Sequence, residues 1–255
     1  MIHLPVRTGV RGARDTQGIE MQSAAIPRVV TRVGLAVTFA LMSVAAGAAT
    51  SAGAVRSYRG AVHALGANGV RRVLMRGDPV FAGDRVDTGR RSFVTLRFRD
   101  HSRFALGQNA SMSVNDFVYG AEGKRDNIAT QIFKGAFRFV SGLISKRRRS
   151  SMRVRLGVIA TIGLRGTNVG GEVVGDSARV VLLEPEDQDA KTGIDVSNDF
   201  GSVSIDEPGF GTEIPDANSP PSPPRRMRLR AIENLMRTIQ SISRISVPRP
   251  RPHLR

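Results

Sequence analysis

Arginine dominates the side chains here that could bind or react. Lys146-Arg147-Arg148-Arg149 sets four like charges in a row, and Arg225, Arg226, Arg228, Arg230 and Arg237 crowd a second segment. Such groups recognise phosphate or carboxylate through planar, forked N–H donors. The first run reads either as a solvated loop or as an anion contact. Glu184-Pro185-Glu186-Asp187-Gln188-Asp189 could offer oxygens to calcium. It lacks the alternating ligand spacing, central Gly and terminal Glu of a calcium loop, so it reads as solvated. The four His (His3, His63, His101, His253) are scattered, without an HExxH pair, and there is no Cys. Zinc sites built on thiolates, thiol nucleophiles and disulfides are therefore excluded. No G-x-S-x-G occurs, so no hydrolase triad is read. The Gly-rich stretch from Gly163 to Gly175 fits neither G-x-G-x-x-G nor a P-loop, and is read as β turns. Lys134-Gly135-Ala136-Phe137-Arg138-Phe139-Val140 fails as an RNA-binding strand, because Ala136 stands where an aromatic is needed and Phe137 where a small residue is. No catalytic constellation and no cofactor or metal site emerges, and no enzyme is expected.

The elements that must carry these residues begin with a targeting pattern. Arg28 and Arg32 precede an uncharged run of 23 residues, Val33 to Val55. Its apolar centre, Leu35–Val44, is followed by small residues, and Ala46-Gly47-Ala48 and Ala52-Gly53-Ala54 both fit an A-x-A cleavage site. The pattern predicts export to the periplasm or cell envelope, with a new N-terminus near Ala49 or Val55. A retained anchor is the rival reading, since 23 helical residues would reach about 35 Å. Met21 offers an alternative start. Export argues against nucleic acid as partner.

The 255 residues carry a net charge of +16, with 40% apolar residues, 5% aromatics and no Trp. The charge is zoned: residues 55–155 carry +14, residues 156–224 carry −9 and residues 225–255 carry +8. Such a balance favours anionic partners. Alternating runs predict strands at Ser92–Phe98, Arg103–Leu106, Ser111–Val118, Ile128–Phe133, Ala136–Val140, Val154–Ile162, Arg165–Val174, Arg179–Leu183, Ile194–Ser197 and Ser202–Ile205. Turn signals such as Ala82-Gly83-Asp84 and Asp87-Thr88-Gly89 separate them. Gly83 and Gly89 suit positions of positive φ or close backbone approach, and Asp84 and Asp100 are placed to bond the following amides. The expected fold is all-β, a sandwich or short solenoid over residues 56–214, after an N-terminal extension and signal segment at 1–54. A stiff Pro/Ser linker is read at 215–224 and a basic amphipathic helix at 225–247, with an irregular tail at 248–255. The helix would place Leu229, Ile232, Leu235, Met236, Ile239 and Ile242 along one stripe. That stripe has three open readings: packing on the β domain, binding an anionic lipid or glycan surface, or pairing with another helix.

Five segments in order resemble the FecR domain family: Met75-Arg76-Gly77-Asp78-Pro79-Val80, Gly83-Asp84-Arg85-Val86-Asp87-Thr88-Gly89, Leu96 to Gly107, Gly135-Ala136-Phe137-Arg138-Phe139-Val140-Ser141-Gly142, and Ile159 to Thr167. The resemblance implies a non-catalytic all-β module of the periplasm or cell surface. In the family's regulators this module receives a signal from an outer-membrane receptor, and a cytoplasmic segment controls a sigma factor. Only 32 residues precede the apolar run here, and they carry no helical domain. The expectation is the exported stand-alone version: a sensor or binding module, or alternatively an envelope scaffold working through its basic helix. Its partner would be an envelope protein or an anionic surface.

Overall fold

The computed structural model describes residues 51–146, 151–186 and 192–245. Among these residues there are seventeen strands: β1 Ser51–Arg59, β2 Val62–Leu65, β3 Arg71–Val73, β4 Pro79–Phe81, β5 Arg85–Thr88, β6 Phe93–Phe98, β7 Arg103–Leu106, β8 Ser111–Val118, β9 Asn127–Val140, β10 Ser151–Leu156, β11 Ala160–Arg165, β12 Asn168–Val174, β13 Ser177–Leu183, β14 Gly193–Asn198, β15 Gly201–Ile205, β16 Phe210–Ile214 and β17 Arg225–Arg226. A 3₁₀ turn follows β9 at Leu143–Lys146, and one helix, α1 Arg230–Ile245, closes the described chain.

Pairing arranges the strands in two rows. The first runs β4-β1-β6-β7-β9-β12-β13-β16-β17. The second runs β3-β2-β5-β8-β9-β10-β11-β14-β15. Every pair is antiparallel except β9 with β10. Strand β9 belongs to both rows. Its residues 127–134 pair with β8 in the second sheet, and residues 135–140 pair with β12 in the first. The crossing falls at Gly135, whose φ is +90°. A Cβ there would stand 2.6 Å from Ala110 Cα, so the crossing requires glycine.

Alternation aims Val94, Leu96, Phe98, Phe104, Leu106, Phe137 and Phe139 into one core with Met112, Ile128, Ile132, Val154 and Ile162 of the second sheet. Phenylalanine takes the place that Trp holds in many sandwiches. Phe98 meets Phe104 edge-on at 5.8 Å and stacks at 5.5 Å on Phe117 of the opposite sheet. Phe139 lies 4.5 Å from Phe104. Such offset and edge contacts add about 0.5–1.5 kcal/mol each beyond burial.

The all-β expectation holds, and the layout is a two-sheet sandwich. Several boundaries differ. Ile128–Phe133 and Ala136–Val140 are one strand bent at Gly135, not two. Val154–Ile162 is not continuous, because Gly157, with φ +52°, turns the chain between β10 and β11. Arg165 ends β11 rather than starting β12, since Gly166 turns with φ +58°. Strand β1 starts at Ser51, ahead of the sequence boundary at 56, and takes up the end of the uncharged run. Asp100 accepts the Ser102 N–H at 3.1 Å as an Asx turn does. Asp84 instead reaches backward, accepting the Phe81 N–H at 2.7 Å and pairing with Arg72. Gly83 has φ +88°, whereas Gly89 serves by close approach to Ala61 and Ser92.

The segment 215–224 is tied down rather than free. The Ser222 N–H donates to the Glu213 carbonyl at 2.9 Å, Thr212 Oγ1 donates to the Ser222 carbonyl at 2.7 Å, and Pro221 is buried. Arg225 and Arg226 then pair with β16 as a strand, so the helix begins at Arg230 and not at 225. Leu229, Ile232 and Leu235 are buried on the outer face of the first sheet, against Val181, Phe93 and Ala105, with Met236 and Ile239 alongside. Ile242 lies in the last helical turn, where only the backbone is described.

Candidate functional site

The helix covers only part of that outer face. Register decides what the uncovered part presents. Ser57 stands opposite Thr95, Thr95 opposite Ala105, and Ala105 opposite Arg138, so these four share the outer face. In the next row Arg97 faces Arg103, and Arg103 faces Val140. The inner residues between them, Leu96, Phe98, Phe104 and Phe139, fill the core, so alternation forces the Arg side chains outward. Arg56 from β1 and His101 from the β6–β7 turn reach the same recess, and Ile239 of α1 closes one side. The recess has a volume of about 400 Å³.

Among the described residues its charge is mostly uncompensated. Arg56, Arg97, Arg103 and Arg138 converge there, and one described carboxylate, Glu186 after β13, ion-pairs with both Arg103 and Arg138. The Arg138–Glu186 distance is 3.1 Å. Arg138 is the most enclosed of the two partners of Glu186, with a side chain 12% exposed against 42% for Arg103. It donates from Nε to Asn168 Oδ1 at 2.9 Å, and Asn168 in turn donates to the Glu184 carbonyl at 2.7 Å. Burial pushes the Arg138 guanidinium below its ordinary value, opposed by Glu186. Arginine still stays charged at physiological pH. A partly desolvated cation gains more from an anion than a solvated one does. Thr95, 9% exposed, has its hydroxyl buried without a hydrogen-bond partner.

Of the residues singled out in the sequence, Ile239 closes one side of this recess, and the basic residues whose side chains are described lie elsewhere. Arg147, Arg148 and Arg149 fall outside the described residues, and of Lys146 only the backbone is described, at the end of the 3₁₀ turn. Arg225 pairs with Glu213 at 2.7 Å. Arg226 lies over the Phe210 ring at 5.8 Å. Arg237 stands 3.9 Å from Glu233 one helical turn away. Arg228 and Arg230 line a second recess of about 840 Å³ beside the helix start, with Arg59, Arg91 and Arg179. The Arg56–Arg97–Arg103–Arg138 cluster was not singled out in the sequence. Its signal was the alternation of Arg97 and Arg103 with core Phe, but pairing to β9 is invisible without register. Among the described residues no group of three His, Asp or Glu could hold a metal, and no helix is long and apolar enough to cross a membrane.

Two face-packed sheets that share one bent strand and carry an arginine recess on an outer face define an all-β module. Residues 84–186 match the family described as FecR protein, so this chain carries a FecR domain. The match runs from Asp84 to Glu186, and β1–β4 before it and β14–β17 after it extend the same sheets. Among solved structures, two crystal structures of a candidate anti-sigma factor from Parabacteroides distasonis are similar. Each has a TM-score of 0.46 and 10% identity; one covers 60% of this chain and 64% of its own, the other 62% and 70%. A structure described as a cell surface anchoring domain is 34% identical over 24% of this chain and 82% of its own, with a TM-score of 0.24. No curated protein matches the chain.

Proposed function

We propose that this protein is a non-enzymatic, exported FecR-type sensor or binding module of the bacterial cell envelope, serving signal transduction. The observation that carries the reading is the arginine recess on the outer face of a FecR domain, rimmed by a helix from the same chain. A rigid two-sheet frame that exposes cations beside a docked helix suits ligand recognition, because filling the recess alters what Ile239 packs against. The apolar run at 33–55, with its Arg-containing lead and two small-residue sites, supports export.

The alternative, an envelope scaffold acting through the basic helix, is favoured by a different observation. Arg230 and Arg237 on α1, and Arg228 just before it, remain exposed while Leu229, Ile232 and Leu235 face the sheet. A partner would then meet the charged face of the helix rather than its apolar stripe.

Fractionation of cells making the full chain, with N-terminal sequencing of the product, tests the exported reading. The expected product lies in the envelope or periplasmic fraction without its first residues. An intact Met1 or Met21 on a cytosolic protein overturns it.

A further inference from the structure

This inference rests on the binding reading above and names its ligand class: we propose that the recess over β6, β7 and β9 binds a small anion carrying at least two carboxylate or phosphate groups. Arg56, Arg97, Arg103 and Arg138 hold its charges, and the Thr95 hydroxyl completes its hydrogen bonds.

Three independent observations converge. Four guanidiniums from four strands, β1, β6, β7 and β9, are drawn to one recess against one carboxylate among the described residues. Like charges so gathered repel, and a structural role would pair them off with acids of the chain. Glu186 does this for Arg103 and Arg138 from beside the recess, which it does not line, and leaves Arg56 and Arg97 without it. Thr95 supplies the second observation. It lines the recess, and its Oγ1 is buried and unpartnered, a state that buried hydroxyls seldom keep. The third is size and lining. About 400 Å³ suits a small molecule, and Ala105, Val140 and Ile239 supply apolar walls between the charges. One charge would leave the remaining guanidiniums unanswered, so a ligand with two or more acidic groups fits best.

Titration calorimetry of the full chain tests this, with inorganic pyrophosphate as the phosphate probe and glutarate as the carboxylate probe. Saturable one-to-one binding of at least one probe is expected, and the tighter probe identifies the acid type. The pair Arg97→Gln and Arg103→Gln should weaken binding about tenfold or more, as loss of charge-assisted bonds does. The pair Arg76→Gln and Arg125→Gln removes the same charge from exposed sites elsewhere and should change affinity less than about twofold. Glu186→Gln frees Arg103 and Arg138 and should tighten binding several-fold. Thr95→Val should weaken binding while raising the melting temperature of the free protein. That opposed pair of effects separates a ligand-facing hydroxyl from a merely structural one. Absence of binding by both probes, or equal weakening by the two double-Arg pairs, overturns the proposal. A cytosolic product with an intact N-terminus would overturn the export reading and leave the anion site standing; failed titrations on an exported protein would do the reverse.

Discussion

A Cβ placed on Gly170 would lie 3.0 Å from Cγ2 of Ile232, so α1 rests directly on the backbone of β12. The apolar stripe of the basic helix is thereby spent within the molecule. Leu229, Ile232 and Leu235 exclude water from an outer sheet face that would otherwise expose Phe93, Ala105 and Val181. Close approach of helix to sheet requires the absence of a side chain at position 170.

Gly170→Val should therefore lift the helix while leaving the sandwich folded. Hydrogen exchange on the full chain is the measurement. Amides of residues 232–239 should be protected in the native protein and lose that protection in the variant, with β6 and β9 unchanged. Leu235→Ala, at 4% exposure, should cost about 2–3 kcal/mol in chemical denaturation. Equal exchange of the helix in native and variant proteins would contradict the docking.

Strand β1 predicts where the mature chain starts. Ala52 and Val55 are buried, and Gly53 packs so close to β6 that a Cβ would stand 2.7 Å from Phe98 Cα. A chain beginning at Val55 loses that half-strand, and one beginning at Ala49 keeps it. The shorter form should melt several degrees lower, since ~1 kcal/mol shifts a domain of this size by about 2–4 °C. Sequencing of the exported protein should accordingly find Ala49 rather than Val55.

Asp100 is fully buried in the β6–β7 turn, where it accepts the Ser102 N–H at 3.1 Å and the Ser102 hydroxyl at 2.6 Å. Asp100→Ala strands both donors and should destabilise the domain by about 1–3 kcal/mol. Asp100→Asn keeps an acceptor in place and should lose less. Urea denaturation of the two variants decides, and equal losses would mean that the negative charge, not the acceptor, matters there.

Gly135 carries the bend by which β9 passes from one sheet to the other. Gly135→Ala forces a side chain into φ +90° and against Ala110. The strain should cost at least about 1–3 kcal/mol. The same substitution at Gly175, which also has positive φ but no neighbour within 4 Å, should cost less. The difference between the two, read from denaturation midpoints, isolates the steric part of the crossing.

Much of the β architecture was legible because it depends on period-two patterning, a local property. Arg97 and Phe98, or Arg103 and Phe104, announce a wet and a dry face whatever lies beside them. Turn residues such as Asp100 and Gly83 were equally readable, since their chemistry concerns the next few amides. The missed strands β1–β5, β16 and β17 are short or poorly alternating, and pairing partners far along the chain stabilise them. The end of the uncharged run looked like part of a targeting segment until β6 gave it a partner.

The sequence by itself determined an all-β chain with a FecR-like order of segments, a cationic surplus and an amphipathic basic helix. Only the tertiary structure decided which cations meet and what the helix covers. Arg56, Arg97, Arg103 and Arg138 are spread over 83 positions of the chain and become neighbours through the registers of β1, β6, β7 and β9. The consecutive runs that stand out in sequence need not converge on anything, because adjacent like charges repel and point apart. Helix docking was likewise one of three open readings. An apolar stripe states that something must cover it, while the identity of the cover depends on a complementary surface such as Phe93, Ala105, Gly170 and Val181, which folding alone assembles.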